Sequence, residues 1–218
     1  MATAAKTALL QRSRSNQPVG GRHKNSLRII GGEHRGRRLQ FVAPEGLRPT
    51  TDRVRETLFN WLQNRIQGAR VLDLFAGSGA LGFEAASRGA REVMLVEMNR
   101  QVCEVLRQNA ALLDSPDVDI RVQQRDARKF LQQSDGSSFD IVFLDPPFRK
   151  NLLQPVIELL ESDGWLADDA LIYIEQGRDE PEAQLPPSWK PLKEKSAGQV
   201  RYQLFGRELR ESATSDNQ

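Results

Sequence analysis

From residue 69 onward, apolar and polar positions alternate between two periods. Short runs rich in β-branched residues, ARVLDLF, REVMLVE, VDIRVQQ, FDIVFLD and ALIYIEQ, read as strands. Between them ALGFEAASRG, NRQVCEVLRQNAALL, the short RDARKFL and LLQPVIELLE carry helical spacing. The last apolar stretch, WKPLKEKSAGQVRYQLFGRE, has no helix between its two strand-like halves and predicts a closing antiparallel hairpin. Together these elements predict an α/β fold: a doubly wound, mainly parallel, seven-stranded sheet with helices on both faces.

Upstream, SLRIIGGEHRGRRLQFV places two apolar segments around a glycine-rich turn, the pattern of a small β-hairpin with His34, Arg35, Arg37 and Arg38 at its tip. A proline-rich loop follows, then a helix that Thr51 or Asp52 caps, with Val54, Leu58, Leu62 and Ile66 on one face. Arg53 and Arg55 begin this helix against its dipole, which hints at an anionic ligand. The expected organisation is a disordered basic tail over 1–25, the hairpin and loop over 26–50, the main α/β domain over 51–208 and a disordered tail over 209–218.

Charge sharpens the picture. The formal net charge of the 218 residues is +2, yet residues 1–44 hold nine Lys and Arg against the single acid Glu33. A basic arm on a slightly acidic body points to a polyanionic partner, nucleic acid before membrane, because no apolar helical face accompanies the charge. The arm's Arg-rich, acid-poor composition also has a faint likeness to an organellar transit peptide. With one cysteine, Cys103, and no long apolar run, a reducing cytoplasmic setting is expected, without disulfides or a metal centre and with the chain as a monomer.

The first strand runs into LDLFAGSGALG, a Gly-x-Gly-x-x-Gly at Gly77, Gly79 and Gly82. Its position after a strand and before a helix, with Glu97 ending the next strand, fits a loop holding a nucleoside cofactor whose ribose hydroxyls the glutamate binds. Asp73 should direct its charge at that loop, which suits a cationic ligand such as S-adenosylmethionine better than the pyrophosphate of a nicotinamide dinucleotide. Asp126 stands where it could accept from an adenine amino group, cap a helix, or do both.

DLFAGSGALG, Glu97, RDA and DPPF, in this order, resemble the class I S-adenosylmethionine-dependent methyltransferases that modify exocyclic amino groups. RIIGGEHRGRRL, RPTTDRVRETLFNWL and LDLFAGSGALGFEAASRGA together resemble, more narrowly, the bacterial 16S ribosomal RNA guanine-N2 methyltransferases of the RsmD type, from about Leu27 to Gly206. The resemblance implies S-adenosylmethionine held by Asp73, Phe75, Ala76, Gly77, Ser78, Gly79, Glu97, Met98, Asp126, Ala127 and Asp145. It also implies 16S ribosomal RNA, or the assembling small subunit, as partner; the charge asymmetry makes Arg35, Arg37 and Arg38 the candidate contacts to the RNA backbone, with Arg48, Arg53 and Arg55 near the cofactor loop as the other candidates.

Prolines cannot continue a central strand, so FDIVFLDPPF must stop at Asp145, where open α/β sheets keep their ligands. Asp145 and the Pro146 carbonyl are suited to accept the two hydrogens of a planar amino group, Pro147 helps to fix that carbonyl, and Phe148 either stacks on the base or packs. Pyrimidine C5 methylation would normally need a thiol nucleophile, and Cys103 lies mid-helix. Guanine N2, adenine N6 and a glutamine amide stay open on the motif alone. A nicotinamide-dependent oxidoreductase and a non-catalytic RNA-binding module are the alternatives of another class.

Overall fold

The computed structural model describes residues 25–42, 51–113, 115–133 and 136–208. The two expected tails, apart from Asn25, and the candidate Arg48 lie outside these residues. Strands β3 (Arg70–Asp73), β4 (Glu92–Glu97), β5 (Asp119–Gln124), β6 (Phe139–Leu144), β7 (Leu166–Gly177), β8 (Trp189–Ala197) and β9 (Val200–Arg207) form one sheet in the order β5-β4-β3-β6-β7-β9-β8. The first five pair in parallel, and β9 enters antiparallel between β7 and β8. The seven-stranded doubly wound sheet is the one the sequence predicts.

Strand residues sort into two cores by parity, as a pleated sheet covered on both faces requires. Val71, Leu95, Ile141, Phe143 and Tyr173 face one layer, with helices α1 (Asp52–Trp61), α2 (Ala80–Ser87) and α3 (Arg100–Leu112). Leu72, Val96, Val142, Leu144 and Ile172 face the other, with α4 (Ala127–Leu131) and α5 (Leu153–Ser162). Phe59 of α1 meets the Phe143 ring edge-on at 6.0 Å, and the Phe143 ring in turn meets Tyr173 at 6.2 Å.

The chain winds outward from β3 through β4 to β5, then crosses back to lay β6 on the other side of β3. The register Val71↔Ile141, Leu72↔Val142 and Asp73↔Phe143 makes the two strands end almost together. Their carboxyl ends form the point where strand order reverses, the ligand crevice of such sheets.

The hairpin of β1 (Asn25–Arg28) and β2 (Arg38–Phe41) forms as expected, pairing the buried Leu27 and Leu39. Its connecting loop, however, is docked on α2 instead of standing free. Glu84, fully buried in an alanine-rich helix, accepts from the Ile30 and Gly31 amides at 2.8 Å each. Ser87 Oγ donates to the Gly31 carbonyl at 2.6 Å and accepts from His34 N at 2.9 Å. Gly32 has φ +76, and a Cβ there would stand 1.7 Å from the Ser87 carbonyl oxygen, so only glycine fits this contact.

Arg55 corrects the expectation of a surface cation at the start of α1. It is 2% exposed, donates to Asp52 Oδ1 at 2.6 Å and to the Arg28 carbonyl at 3.0 Å, and sits 3.5 Å from Glu84. Its charge answers the buried Glu84, which also pairs with Arg88 at 2.7 Å. Removing one member of a buried ion pair strands the other charges, so Glu84→Ala should lower stability in urea unfolding by about 3–5 kcal/mol. Hydrogen exchange should show the Ile30 and Gly31 amides losing protection, and unchanged protection there would dismiss Glu84 as the hairpin's anchor.

Candidate active site

The glycine loop leaves β3 at Asp73 and enters α2 at Ala80. Gly77 and Gly79 take left-handed backbone, with φ 49 and 77, and a Cβ on Gly79 would lie 2.3 Å from the Phe83 ring. The third glycine serves close packing, since a Cβ on Gly82 would lie 2.2 Å from Leu95 of β4. Ala76 N donates to the Val96 carbonyl at 2.9 Å, pinning the loop to β4. Ala76 and Ser78 are buried, and Phe75 is half-buried against the second core.

Asp73 acts on this loop differently from the expectation. It is 2% exposed, and its Oδ2 accepts from Gly82 N at 3.0 Å, while the Phe75 amide also bonds to it. Burial pushes its carboxyl up to about 7, opposed by those two amides and assisted by the nearby Glu97 charge. Its parity with Val71 turns it under the first turn of α2, so it braces the loop from below and presents no open charge.

Glu97, at the end of β4, accepts from Gly77 N at 3.1 Å and from Asn99 N at 2.7 Å. The acid and the glycine loop, twenty residues apart in sequence, thus meet directly. Met98 beside it is 71% exposed, an uncommon position for a large apolar side chain. Arg125 N donates to the Glu97 carbonyl at 2.9 Å, which brings the end of β5 and the following Asp126 next to Glu97. Asp126 caps α4, its Oδ1 accepting from Arg128 N at 3.1 Å and Lys129 N at 3.2 Å, and the buried Ala127 opens that helix.

Across the switch point, Asp145 follows β6 half-buried, Pro146 is buried and Pro147 is exposed. Phe148 is 43% exposed, which favours an available ring over core packing. Arg149 and Asn151, just beyond, adopt left-handed backbone with φ 61 and 51, a costly conformation for arginine and one that asparagine tolerates. Arg149 holds the segment by its backbone N–H to Glu180 and by its guanidinium to Asp179 at 2.9 Å. A groove of about 280 Å³ beside Pro146 and Pro147 is lined further by Leu152, Leu153 and Pro181.

Sequence reasoning passed over Glu175, 5% exposed near the end of β7, which accepts from the Tyr173 hydroxyl at 2.7 Å. Burial raises both groups, and the charge of Asp145 raises Tyr173 further, so this pair lies within electrostatic reach of the Asp145 carboxylate. The signal was present: ALIYIEQ carries a carboxylate near the carboxyl end of its strand, level with the one that follows FDIVFL.

Among the candidate RNA contacts, Arg35, Arg38 and Arg53 are exposed. Arg37 is exposed too, but its guanidinium bonds to the Leu112 carbonyl at the end of α3. Arg55 is committed to the interior, between Asp52 and Glu84.

Residues 27–206 match the family model described as "Conserved hypothetical protein 95". The chain is 50% identical over 190 residues to "Ribosomal RNA small subunit methyltransferase D" of Escherichia coli (strain K12), covering 87% of this chain and 94% of that protein. The protein of the same name from Haemophilus influenzae is 46% identical over 183 residues, 84% of this chain and 94% of its own. The solved yhhF structure from Escherichia coli aligns with a TM-score of 0.76 at 50% identity, covering 85% of this chain and all of that one. Sheet order, glycine loop and an identity of this level over nearly the whole domain agree: the chain belongs to the conserved hypothetical protein 95 family, that of the small-subunit ribosomal RNA methyltransferase D proteins.

Proposed function

We propose that this chain transfers a methyl group from S-adenosylmethionine to the exocyclic N2 of a guanine in small-subunit ribosomal RNA. The observation that supports methyl transfer to a planar amino group is the position of Asp145 and Pro146 just past β6, across the switch point from the glycine loop; the choice of guanine N2 rests on the family resemblance. The names of the relatives support the substrate class. Family membership removes the support for a nicotinamide-dependent oxidoreductase or a non-catalytic RNA-binding module.

The residues present fit the cofactor. Glu97 offers a half-exposed carboxylate to ribose hydroxyls, Met98 an exposed side chain to a flat ring, and Asp126 a carboxylate to an amino group. The loop from Phe75 to Gly79 keeps the backbone close, braced from below by Asp73. When bound, S-adenosylmethionine would supply an electrophilic methyl carbon, its S–CH3 bond breaking to leave a neutral thioether.

The chain's own residues deal with a poor nucleophile. The guanine amino nitrogen shares its lone pair with the ring, and holding its two hydrogens out of plane returns that pair to the nitrogen. Asp145 accepts one hydrogen and the Pro146 carbonyl the other. The ring of Pro146 fixes φ at the turn, and Pro147 restricts the residue before it, so the carbonyl is held without a flexible hinge. As N2 gains its new bond to carbon, its N–H becomes acidic and Asp145 takes the proton. Phe148 stacks on a base that has left its helix. Arg35, Arg38 and Arg53 supply exposed cations for phosphates.

Mass mapping of small-subunit ribosomal RNA treated with the protein and cofactor should reveal one N2-methylguanine. N6-methyladenine in its place would overturn the reading. In single-turnover form of the same assay, Asp145→Ala should slow transfer by roughly 10²–10⁴ with cofactor affinity retained. Glu97→Ala should do the reverse in calorimetry, weakening cofactor binding by about 1.5–3 kcal/mol. Replacing Arg35 and Arg38 with Ala should flatten the log–log salt dependence of RNA binding by about 0.7–0.9 for each phosphate that is no longer neutralised. A wild-type salt slope in that double variant would assign the RNA backbone to other residues.

A further inference from the structure

The Asp145 and Pro146 arrangement grips an amino group without telling guanine from adenine, because both bases carry one on a planar ring. The difference lies at the neighbouring ring nitrogen. Guanine N1, beside the N2 amino group, bears a hydrogen and donates, whereas adenine N1, beside N6, has a lone pair and accepts. A site selective for guanine therefore needs a second acceptor next to Asp145.

The sheet register supplies one. The last paired residues of β6 and β7 are Leu144 and Ile174, so the next positions on the two strands are Asp145 and Glu175. Asp145 continues the parity of Ile141 and Phe143, and Glu175 that of Leu171 and Tyr173, which places both side chains on the same face of the sheet. The Tyr173 hydroxyl donates to Glu175 Oε2 at 2.7 Å, fixing the carboxyl from below. Tyr173 is itself held against Phe143 and Tyr202, so the support is rigid.

We infer that Glu175 is a specificity-determining residue that accepts the N1–H of the target guanine while Asp145 accepts from its N2 amino group. This rests on the guanine-N2 reading above. A base presenting a lone pair at the same point would meet the carboxylate oxygen acceptor to acceptor, leaving a buried polar group unsatisfied. That repulsion, more than any added attraction, sets the preference. Burial raises the Glu175 carboxyl and the Tyr173 hydroxyl bond opposes that rise; the incoming N1–H would add a second bond that opposes it.

Once the methylated position is mapped, ribosomal RNA can be assembled by ligation with guanine, 2-aminopurine or 2,6-diaminopurine at that position. Both analogues keep the N2 amino group and carry a lone pair at N1, but they differ from each other at position 6. The wild-type protein should methylate guanine roughly 10- to 100-fold faster in kcat/KM than either analogue, the scale of one unsatisfied buried acceptor. An amide both donates and accepts, so Glu175→Gln should bring the ratio to about threefold or less while guanine is still methylated. A merely structural role would slow all three substrates in parallel and leave the ratio unchanged. Wild-type protein that uses the analogues as well as guanine overturns the inference without any variant, and so does an unchanged ratio in Glu175→Gln. Failure of the wild type on guanine itself would instead fall on the guanine-N2 reading.

Discussion

The parallel pairing of β3 with β6 is the constraint on which the site depends. It joins segments seventy residues apart in sequence, Val71 opposite Ile141 and Asp73 opposite Phe143, and so fixes how far each strand reaches. Everything chemical hangs on the two ends that result. One turns into the glycine loop, with Asp73 holding the amides of Phe75 and Gly82, and the other into Asp145 and the two prolines. A slip of one residue between these strands would reverse the faces of both Phe143 and Asp145, which the dense aromatic packing of Phe59, Phe143 and Tyr173 resists.

Helix α2 joins two tasks that the sequence presents separately. Its first residue follows the glycine loop, and its fifth, Glu84, holds the basic hairpin by two amides and shares Arg55 and Arg88. The candidate phosphate-binding arginines of the hairpin are therefore mounted on the same eight-residue rod as the cofactor loop, with a buried, multiply bonded carboxylate as the rivet. Such a group is costly to desolvate, and it is tolerated here because each of its oxygens meets a backbone N–H and a guanidinium.

Much of this was legible in the chain. The central strands announced themselves by continuous β-branched runs, because they are buried on both faces, and the longer helices by one apolar stripe; the exposed edge strands β5 and β8 were read from weaker alternation. Glu97 and the glycines were readable because their roles rest on spacing along one β–α–β unit. Arg55 was not, since its partner Glu84 lies 29 residues away and the position next to Val54 at the edge of an amphipathic face looks exposed until the hairpin covers it. The depth of Asp73 also escaped, because residue order gives a strand's parity but not which helix lies over that face. Glu175 escaped for another reason: its strand runs on to Gly177 without a proline, so nothing in the sequence marks the position level with Asp145.

The seventy-residue span between β3 and β6 also imposes an order in time. During synthesis at about 5–20 residues per second, β6 follows β3 by roughly 4–14 s. The glycine loop, α2 and the hairpin resting on Glu84 are all complete in sequence before Asp145 is made. Until then the edge of β3 that will receive β6 has its backbone N–H and C=O groups unpaired, a surface open to association with another chain. High contact order is thus concentrated at the reacting centre: pairing of β6 with β3 brings Asp145 to the cofactor loop, and Glu175 follows only when β7 pairs with β6.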